Sequence, residues 1–486
     1  MAHRLERFYP YAPVWAQNLG ISLYGVLYRR ERMSGDYNRY VDGFRERDRW
    51  PEDKMVAYVD AELNRILLHA FDHVPYYARR WKQAGITRSD LSRLGASNLS
   101  RLPITPKTDL RLRPESFVAE KARQSERLTK YYSSGSTGTP VTTIFSADVH
   151  RKTVAGREVR SFGWAGTSVR FPRSMLGGRM IVARGDEGPP YYRYNWTEQQ
   201  VYFSAYHISP DTVWNYVEGF NRYRPRLLTG YAFSHYSLAR MMLEQRLTLD
   251  YQPDAIVLSS EKLTAQMKTA IAQTFRARAY EEYGAVENCM LATECEEGNL
   301  HASLDFGIIE IVDDTGNPVP PGVEGRVLCT GLLNHVQPLI RYDIGDCAVW
   351  SGEPCACGRR HLPVLKEIVG RLEDVVVGPK GREMVRFHGI FIDLPNVLEG
   401  QVIQEELDRL RVKVVALPGF GINEEALIRQ RFEERLGLLR IEIERVPELE
   451  RTDRGKFRAV ISNLAKSQRE PGTTETVVPG LQLATD

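Results

Sequence analysis

The sequence predicts an α/β architecture with largely parallel strands, and three features of its texture predict it. Between Leu128 and Gly284, segments that read as strands (LTKYYSS, RMIVA, PRLLTG, DAIVLSS, RARAYEEYG) alternate with helical ones such as TVWNYVEGFNRY and SHYSLARMMLEQ, the pattern of strands joined by crossover helices. Past Glu294 the text changes to short alternating strands broken by turn signals, as in FGIIEIVDDTGNPVPPGVEGRVLCTG. After Gly370 a smaller α/β unit follows, with VVVG, RVKVVAL and IEIERV as strands and NEEALIRQRFEERLG as a helix. At 486 residues the chain has room for about three compact units, or for two unequal ones.

The elements follow in order. Val14 to Tyr28 (VWAQNLGISLYGVLY) is apolar-leaning and runs into Arg29, Arg30, Glu31 and Arg32. It is too short and too interrupted to span a bilayer. Two readings stand: a helix resting on a membrane surface with its arginines at the headgroups, or, as the preferred one, a helix packed on its own domain. From Pro51 to Leu94 the apolar residues of AELNRILLHAFDHV recur at helical spacing, and another short helical stretch follows Thr105-Pro106. The strand LTKYYSS then enters a glycine-rich loop, Gly135 to Pro140, and VTTIF leaves it, so the loop is expected at the tip of a hairpin. The end of the chain, from about Ser467, is polar and aperiodic and reads as a mobile tail.

Composition narrows the function. Lys and Arg number 65 against 62 Asp and Glu, a net charge of +3 spread along the chain, which argues against a nucleic-acid partner. With 42% hydrophobic and 26% charged residues the chain has the make-up of a globular enzyme. All six cysteines lie between Cys289 and Cys357, too few for a disulfide scaffold, so the expectation is a reducing cytoplasm with a local use for thiols. No signal-peptide pattern and no run of about 18 apolar residues is present, so neither export nor a membrane span is expected.

The sharpest chemical signal is Tyr131-Tyr132-Ser133-Ser134-Gly135-Ser136-Thr137-Gly138-Thr139-Pro140. Its glycines let backbone N–H groups approach an anion, and its hydroxyls can donate to phosphate oxygens. No Gly-Lys-[Ser/Thr] ends it, which removes the Walker-type kinase and ATPase readings. The loop resembles the phosphate-binding loop of the adenylate-forming superfamily, which includes acyl-CoA synthetases, luciferases and nonribosomal-peptide adenylation domains. Four further segments resemble that family's motifs in the right order. Tyr283-Gly284-Ala285-Val286-Glu287 implies an aromatic ring by the adenine and a magnesium-holding glutamate. Arg341-Tyr342-Asp343-Ile344-Gly345-Asp346 implies that Asp346 grips the ribose. Gly370-Arg371-Leu372-Glu373-Asp374 is similar to the family's interdomain hinge, with Arg371 by the nucleotide and Asp374 as pivot. Arg451-Thr452-Asp453-Arg454-Gly455-Lys456 is similar to the segment carrying the catalytic lysine.

The resemblance implies the adenylate-forming fold: a large N-terminal AMP-binding domain over 1–372 with a β-barrel-like subdomain, a small mobile α/β domain over 373–466, and a disordered tail over 467–486. It implies ATP and Mg2+ as cofactors, with Ser133, Ser134, Gly135, Ser136, Thr137, Gly138, Tyr283, Gly284, Asp346 and Arg371 around the nucleotide and Glu287 and Lys456 in catalysis. Such a ligase joins a carboxylic acid to AMP, releases pyrophosphate and passes the acyl group on.

Cys295-x5-His301, with Cys355-Ala356-Cys357 downstream, offers three thiolates and an imidazole, the ligand set of a closed structural zinc site; Cys289 is a reserve ligand. Similar Cys/His positions occur in the phenylacetate-CoA ligase branch and its CapK and coenzyme F390 synthetase relatives, and the LEDVVVGPKGREMVRFHGIF, VLEGQVIQEELDRLRVKVV and GKFRAVIS runs resemble the CapK side. Two departures leave the acceptor open: Val141 follows the loop where many relatives have lysine, and Gly378-Pro379-Lys380-Gly381-Arg382 replaces the Arg-Gly-x-Asn-x-x-Pro stretch of the CoA ligases. CoA is the family default, and an amine in capsule or secondary-metabolite assembly is the alternative. Tyr206, His207, Gly230, Tyr231, Ser260 and Glu261 are the candidate walls of the acyl pocket, and a homodimer is left open.

Overall fold

The structure is a computed structural model and describes Tyr9 and residues 12–132, 141–179, 181–182, 188–369, 375–384, 388–391, 394, 396–449 and 460–464. Leu128–Tyr132 (β1) and Thr142–Ser146 (β2) pair as an antiparallel hairpin. Twelve strands then build one sheet: Arg173–Gly177 (β3), Tyr192–Asn195 (β4), Gln200–Ser204 (β5), Leu227–Tyr231 (β6), Ala255–Ser259 (β7), Ala279–Gly284 (β8), Leu291–Glu294 (β9), Leu300–Ala302 (β10), Gly307–Val312 (β11), Glu324–Gly331 (β12), Tyr342–Trp350 (β13) and Val364–Ile368 (β14). Their order is β11-β12-β13-β14-β10-β9-β8-β7-β6-β3-β5-β4.

The run β8-β7-β6-β3-β5 is parallel. Its strand β7, AIVLS, is apolar without alternation, because helices cover the sheet. Leu228, Ile256 and Leu258 pack against Phe220 of Val213–Tyr223, Leu238 and Met242 of Ala232–Glu244, and Ile271 and Phe275 of Ala265–Phe275. One strand falls elsewhere than the sequence suggested. The apolar run RMIVA is not a strand over its described residues; β3 is RSMLG, six residues earlier. The two strand faces of RSMLG are set by its pairing with β5 and β6, which the local run of apolar residues does not report.

From β9 onward the pairing is antiparallel, with bulges between Arg326 and Leu328 and between Val349 and Trp350 that bend this half. It packs on the helix Glu52–His73 through Leu63, Ile66, Leu67 and Ala70. A third body lies in the C-terminal part. Val397–Glu406 (β17), Arg409–Ala416 (β18), Arg440–Arg445 (β19) and Val460–Ser462 (β20) form a sheet ordered β19-β18-β17-β20, covered by the helix Ile422–Leu436. The two-residue strands Val376–Val377 (β15) and Glu383–Met384 (β16) stand beside it.

Candidate active site and metal centre

The sheet order brings the chemistry-bearing segments to one place. The hairpin expectation holds on both flanks of the glycine-rich loop, where Tyr132 faces Thr142 and Tyr131 faces Thr143. The hairpin is tied to the antiparallel half by Gln337, whose Oε1 accepts from the Ile144 amide at 3.0 Å, and by Asn334, which donates to the Ile144 carbonyl at 3.2 Å. Ser133, Ser134, Gly135, Ser136, Thr137 and Gly138 themselves lie outside the described residues.

Next to the hairpin, two tyrosines cross-connect the two motif segments. The Tyr283 hydroxyl, at the end of β8, donates to Asp346 Oδ2 on β13 at 3.0 Å. The Tyr342 hydroxyl, on β13, donates to Glu287 Oε1 at 3.1 Å. Each segment thus supplies a phenol to the other's carboxylate. Burial first, and the neighbouring carboxylate second, hold both phenols far above their ordinary range, so both remain donors. Glu287 is buried, and its Oε1 also lies 3.7 Å from Lys107 Nζ, which donates to the Ile344 carbonyl at 3.0 Å.

Lys107 is brought there by Thr105, which pairs with β13: its amide donates to the Arg341 carbonyl at 2.8 Å and its carbonyl accepts from the Asp343 amide at 3.0 Å. Sequence reading missed this lysine; Thr105-Pro106 was its only marker. Arg341, the first residue of its motif, is structural: its guanidinium is buried on Glu310 and on the carbonyls of Leu102 and Gly316.

At the carboxyl ends of β7 and β8, where open parallel sheets bind ligands, a cleft of about 240 Å³ is lined by Tyr131, Phe145, His150, Arg157, Ser260, Glu282, Met290 and Phe306 among others. Arg157 forms an ion pair with Glu282, its Nε donating to Oε2 at 3.0 Å. His150 Nδ1 is 3.3 Å from the Tyr131 hydroxyl. Burial, then the charges of Arg32 and Arg157, bring its pKa down to about 4, so the ring is neutral near pH 7.

Of the expected pocket residues only Ser260 lines this cleft. Tyr206 is a core residue of the C-terminal body with the Arg435 guanidinium over its ring, and its hydroxyl donates to the Gly178 carbonyl at 3.0 Å. His207 is buried, stacked on Tyr191, with Nδ1 2.7 Å from Ser204 Oγ. Glu261 accepts from the Phe233 amide at 2.8 Å in the first turn of Ala232–Glu244, and Tyr231 begins that helix with its hydroxyl close to Gly178. Position between the glycine-rich loop and the Tyr-Gly-x-x-Glu segment was the only criterion the sequence offered. Of the six candidates, Tyr206, His207, Tyr231 and Glu261 have side chains directed elsewhere and Gly230 does not line the cleft. His150 and Arg157 were missed because they sit on a helix, Ala147–Arg157, that the sequence marks only by its N-cap serine.

The four expected metal ligands come together. The donor atoms of Cys295, His301, Cys355 and Cys357 all lie within 4.8 Å of one another. Cys295 Sγ and Cys355 Sγ are 3.6 Å apart, and Cys357 Sγ is 3.3 Å from His301 Nε2. Tetrahedral Zn–S bonds of about 2.3 Å require sulfurs about 3.7 Å apart, so the spacing fits. His301 Nδ1 is 2.7 Å from the Leu362 carbonyl, which fixes the proton there and leaves Nε2 as the donor to a metal. Asn299 donates to Cys355 Sγ at 3.2 Å. Cys289 lies buried in the core and outside the cluster.

Comparison with known proteins places the chain. Residues 378–463 match the CapK C-terminal domain family. Protein CapK of Staphylococcus aureus is 24% identical over 419 residues, covering 85% of this chain and 88% of its own. The phenylacetate-coenzyme A ligase of Thermus thermophilus is 27% identical over 356 residues, 67% of this chain and 72% of its own. These likenesses support the adenylate-forming superfamily, on its phenylacetate-CoA ligase and CapK branch. The fold agrees: the crystal structure of 2-hydroxyisobutyryl-CoA ligase with 2-HIB-AMP and CoA superposes with a TM-score of 0.57 at 20% identity, over 85% of this chain and 90% of that one. The relatives support a ligase. Tyr283 and Asp346, and Tyr342 and Glu287, are joined by the two tyrosine-carboxylate bonds and Gly284 lines the cleft, whereas Arg371, Asp374 and Lys456 lie outside the described residues.

Proposed function

We propose that this ligase activates a carboxylic acid with ATP and Mg2+ to an acyl-adenylate, releases pyrophosphate, and transfers the acyl group to the thiol of CoA. The observation that carries the reading is the reciprocal pair of bonds, Tyr283 to Asp346 and Tyr342 to Glu287. It joins the two segments that a nucleotide would have to touch together. In this reading Asp346 holds the ribose hydroxyls, the loop over Ser133–Gly138 orients the phosphates, and Arg371 contacts the nucleotide. Glu287 would hold the magnesium, which neutralises phosphate charge when bound. Lys456 brings a cation to the α-phosphate as charge accumulates there. Lys456→Ala should therefore lose adenylation by on the order of a hundred-fold or more while nucleotide binding is largely kept.

We place the division between large and small domains at 372/373 with Asp374 as the pivot, since Lys456 must withdraw before the acceptor arrives. The cleft between Tyr131, Phe145 and His150 is the best-supported place for the acyl group, with an aromatic acid the natural fit. Zinc at Cys295, His301, Cys355 and Cys357 would brace the segments that follow Glu287 and Asp346.

A second reading, an amide synthetase with an amine acceptor, is favoured by two features: the CapK match over 378–463 and the replacement at Gly378–Arg382. There Glu383 is bound to Ser237 and Arg240 at 2.8 and 2.7 Å. Pyrophosphate release measured across a panel of acids, with and without CoA or amines, tests both readings. Acid-dependent release accelerated by CoA supports the first, acceleration by an amine alone the second, and no acid-dependent release rejects adenylation.

A further inference from the structure

The helix Val14–Met33 sits on the protein with its polar side inward. Its neighbour β4 is the edge of the large sheet, and an edge leaves backbone groups unpaired. Asn18 Oδ1 accepts from the Tyr194 amide at 2.9 Å, and Ser22 Oγ accepts from the Trp196 amide at 3.0 Å. Gln17 accepts from the buried Arg193 guanidinium, and Gly25 lets the Asn195 side chain approach. Because this side is spent on closing the edge, the apolar side faces outward. Trp15, Leu19, Leu23, Val26 and Leu27 are 67, 46, 62, 50 and 65% exposed, and their spacing of four, four, three and one puts them on one stripe. Trp196, exposed beside Ser22, widens it.

The charges at the end of the stripe are mainly basic, Glu31 being the one acidic residue of the helix. Residues 14–30 contain no Asp or Glu, and Arg29 and Arg30 are exposed at the end of the stripe. No described helix is long and apolar enough to cross a membrane. A helix of 20 residues is about 30 Å long. This one offers a convex apolar line, indole rings and terminal arginines to a plane. We propose that this helix docks the protein onto an anionic lipid surface, with Trp15, Leu19, Leu23 and Leu27 at the acyl boundary and Arg30 among the headgroups.

Co-sedimentation of the full chain with vesicles tests it. Vesicles of equal parts phosphatidylglycerol and phosphatidylcholine should pellet the protein, with affinity about ten-fold or more above that for phosphatidylcholine alone. Joint replacement Leu19→Glu, Leu23→Glu and Leu27→Glu should lower the affinity at least about ten-fold. Arg30→Ala should lower it several-fold and reduce its salt dependence. The melting temperature of each variant should match the wild type, since these side chains face solvent. Wild-type protein left in the supernatant overturns the proposal, as does binding that the triple replacement leaves intact. So does light scattering that finds a dimer turned into monomer by the triple replacement with no vesicle binding, which would assign the stripe to a second copy.

Discussion

The parallel half of the large sheet and its antiparallel half are held by different means. In β8-β7-β6-β3-β5 the strands are sealed by apolar side chains from three helices, and the close fit is backbone on backbone: a Cβ at Gly230 would stand 2.0 Å from the Leu176 carbonyl. In β9 to β14 the apolar core is supplemented by polar cross-links. Arg341 with Glu310, Arg160 with Asp305, the two tyrosine-carboxylate bonds and the Cys/His cluster each join segments distant in sequence. A well-packed parallel half supplies strand ends in fixed positions. A cross-linked antiparallel half is held in part by side-chain bonds that single substitutions remove.

The largest effect expected from this difference is at Gly230. Its φ of +140° already favours glycine, and Gly230→Ala forces β6 away from β3. A loss on the order of 4 kcal/mol or more, seen as failure to fold or a greatly lowered urea midpoint, is expected. A midpoint near that of the wild type would mean that the parallel half is looser than its packing indicates. Cutting the metal cluster with Cys355→Ser and Cys357→Ser comes second. The wild type should contain about one zinc per chain and the variant none, with stability lower by on the order of 3 kcal/mol. Hydrogen exchange should rise in β9, β10 and β14 and stay slow in β6 and β7. Equal loosening of both halves would break the distinction.

The same difference decides what the sequence could reveal. That Tyr283 with Asp346, and the four Cys/His residues with one another, come together was legible because residue type and order along the chain mark those segments. The hairpin around the loop was legible from two alternating strands and glycines. Lys107, His150 and Arg157 were not, since they reach the site through strand pairing and helix packing that no local pattern encodes. Tyr206, His207 and Glu261 stand near strand ends, yet they are turned into the C-terminal body, the core and a helix terminus. A helix over Val14 to Tyr28 was expected from its apolar residues, and the helix found runs on to Met33. That those residues face outward follows only from the unpaired edge of β4, which must be satisfied by Asn18 and Ser22.

The third effect concerns function at the junction of β8 with the antiparallel half. Tyr283→Phe leaves a ring in place and removes the bond to Asp346; Tyr342→Phe does the same for Glu287. A hydrogen bond to a carboxylate contributes about 2 kcal/mol, so acid-dependent pyrophosphate exchange should fall about thirty-fold in each variant. Melting temperatures should move by only a few degrees. The double variant should lose less than the sum, because both bonds join the same two segments. Strict additivity would show that the two bonds act separately rather than as one junction.

The smallest effect falls in the parallel half and depends on pH. His235 lies fully buried in the helix Ala232–Glu244, with Nδ1 2.9 Å from the Tyr231 carbonyl and Nε2 without a partner. Burial brings its pKa down to about 4 from an ordinary 6.5, outweighing the opposing backbone hydrogen bond. Between those values the unfolded chain binds the proton and the folded chain does not, so stability is complete above pH 6.5 and is lost as pH falls toward 4. The loss is roughly 1 kcal/mol at pH 6 and roughly 2 at pH 5. His235→Asn keeps a donor for the Tyr231 carbonyl and cannot titrate. Both proteins should carry Cys355→Ser and Cys357→Ser, so that acid release of metal from the antiparallel half does not enter; His150 is common to both and cancels. The asparagine variant should then lose less stability between pH 7 and pH 5, read as urea midpoints. Equal losses would mean that His235 has a partner for its proton, and that acid acts first on the cross-linked half.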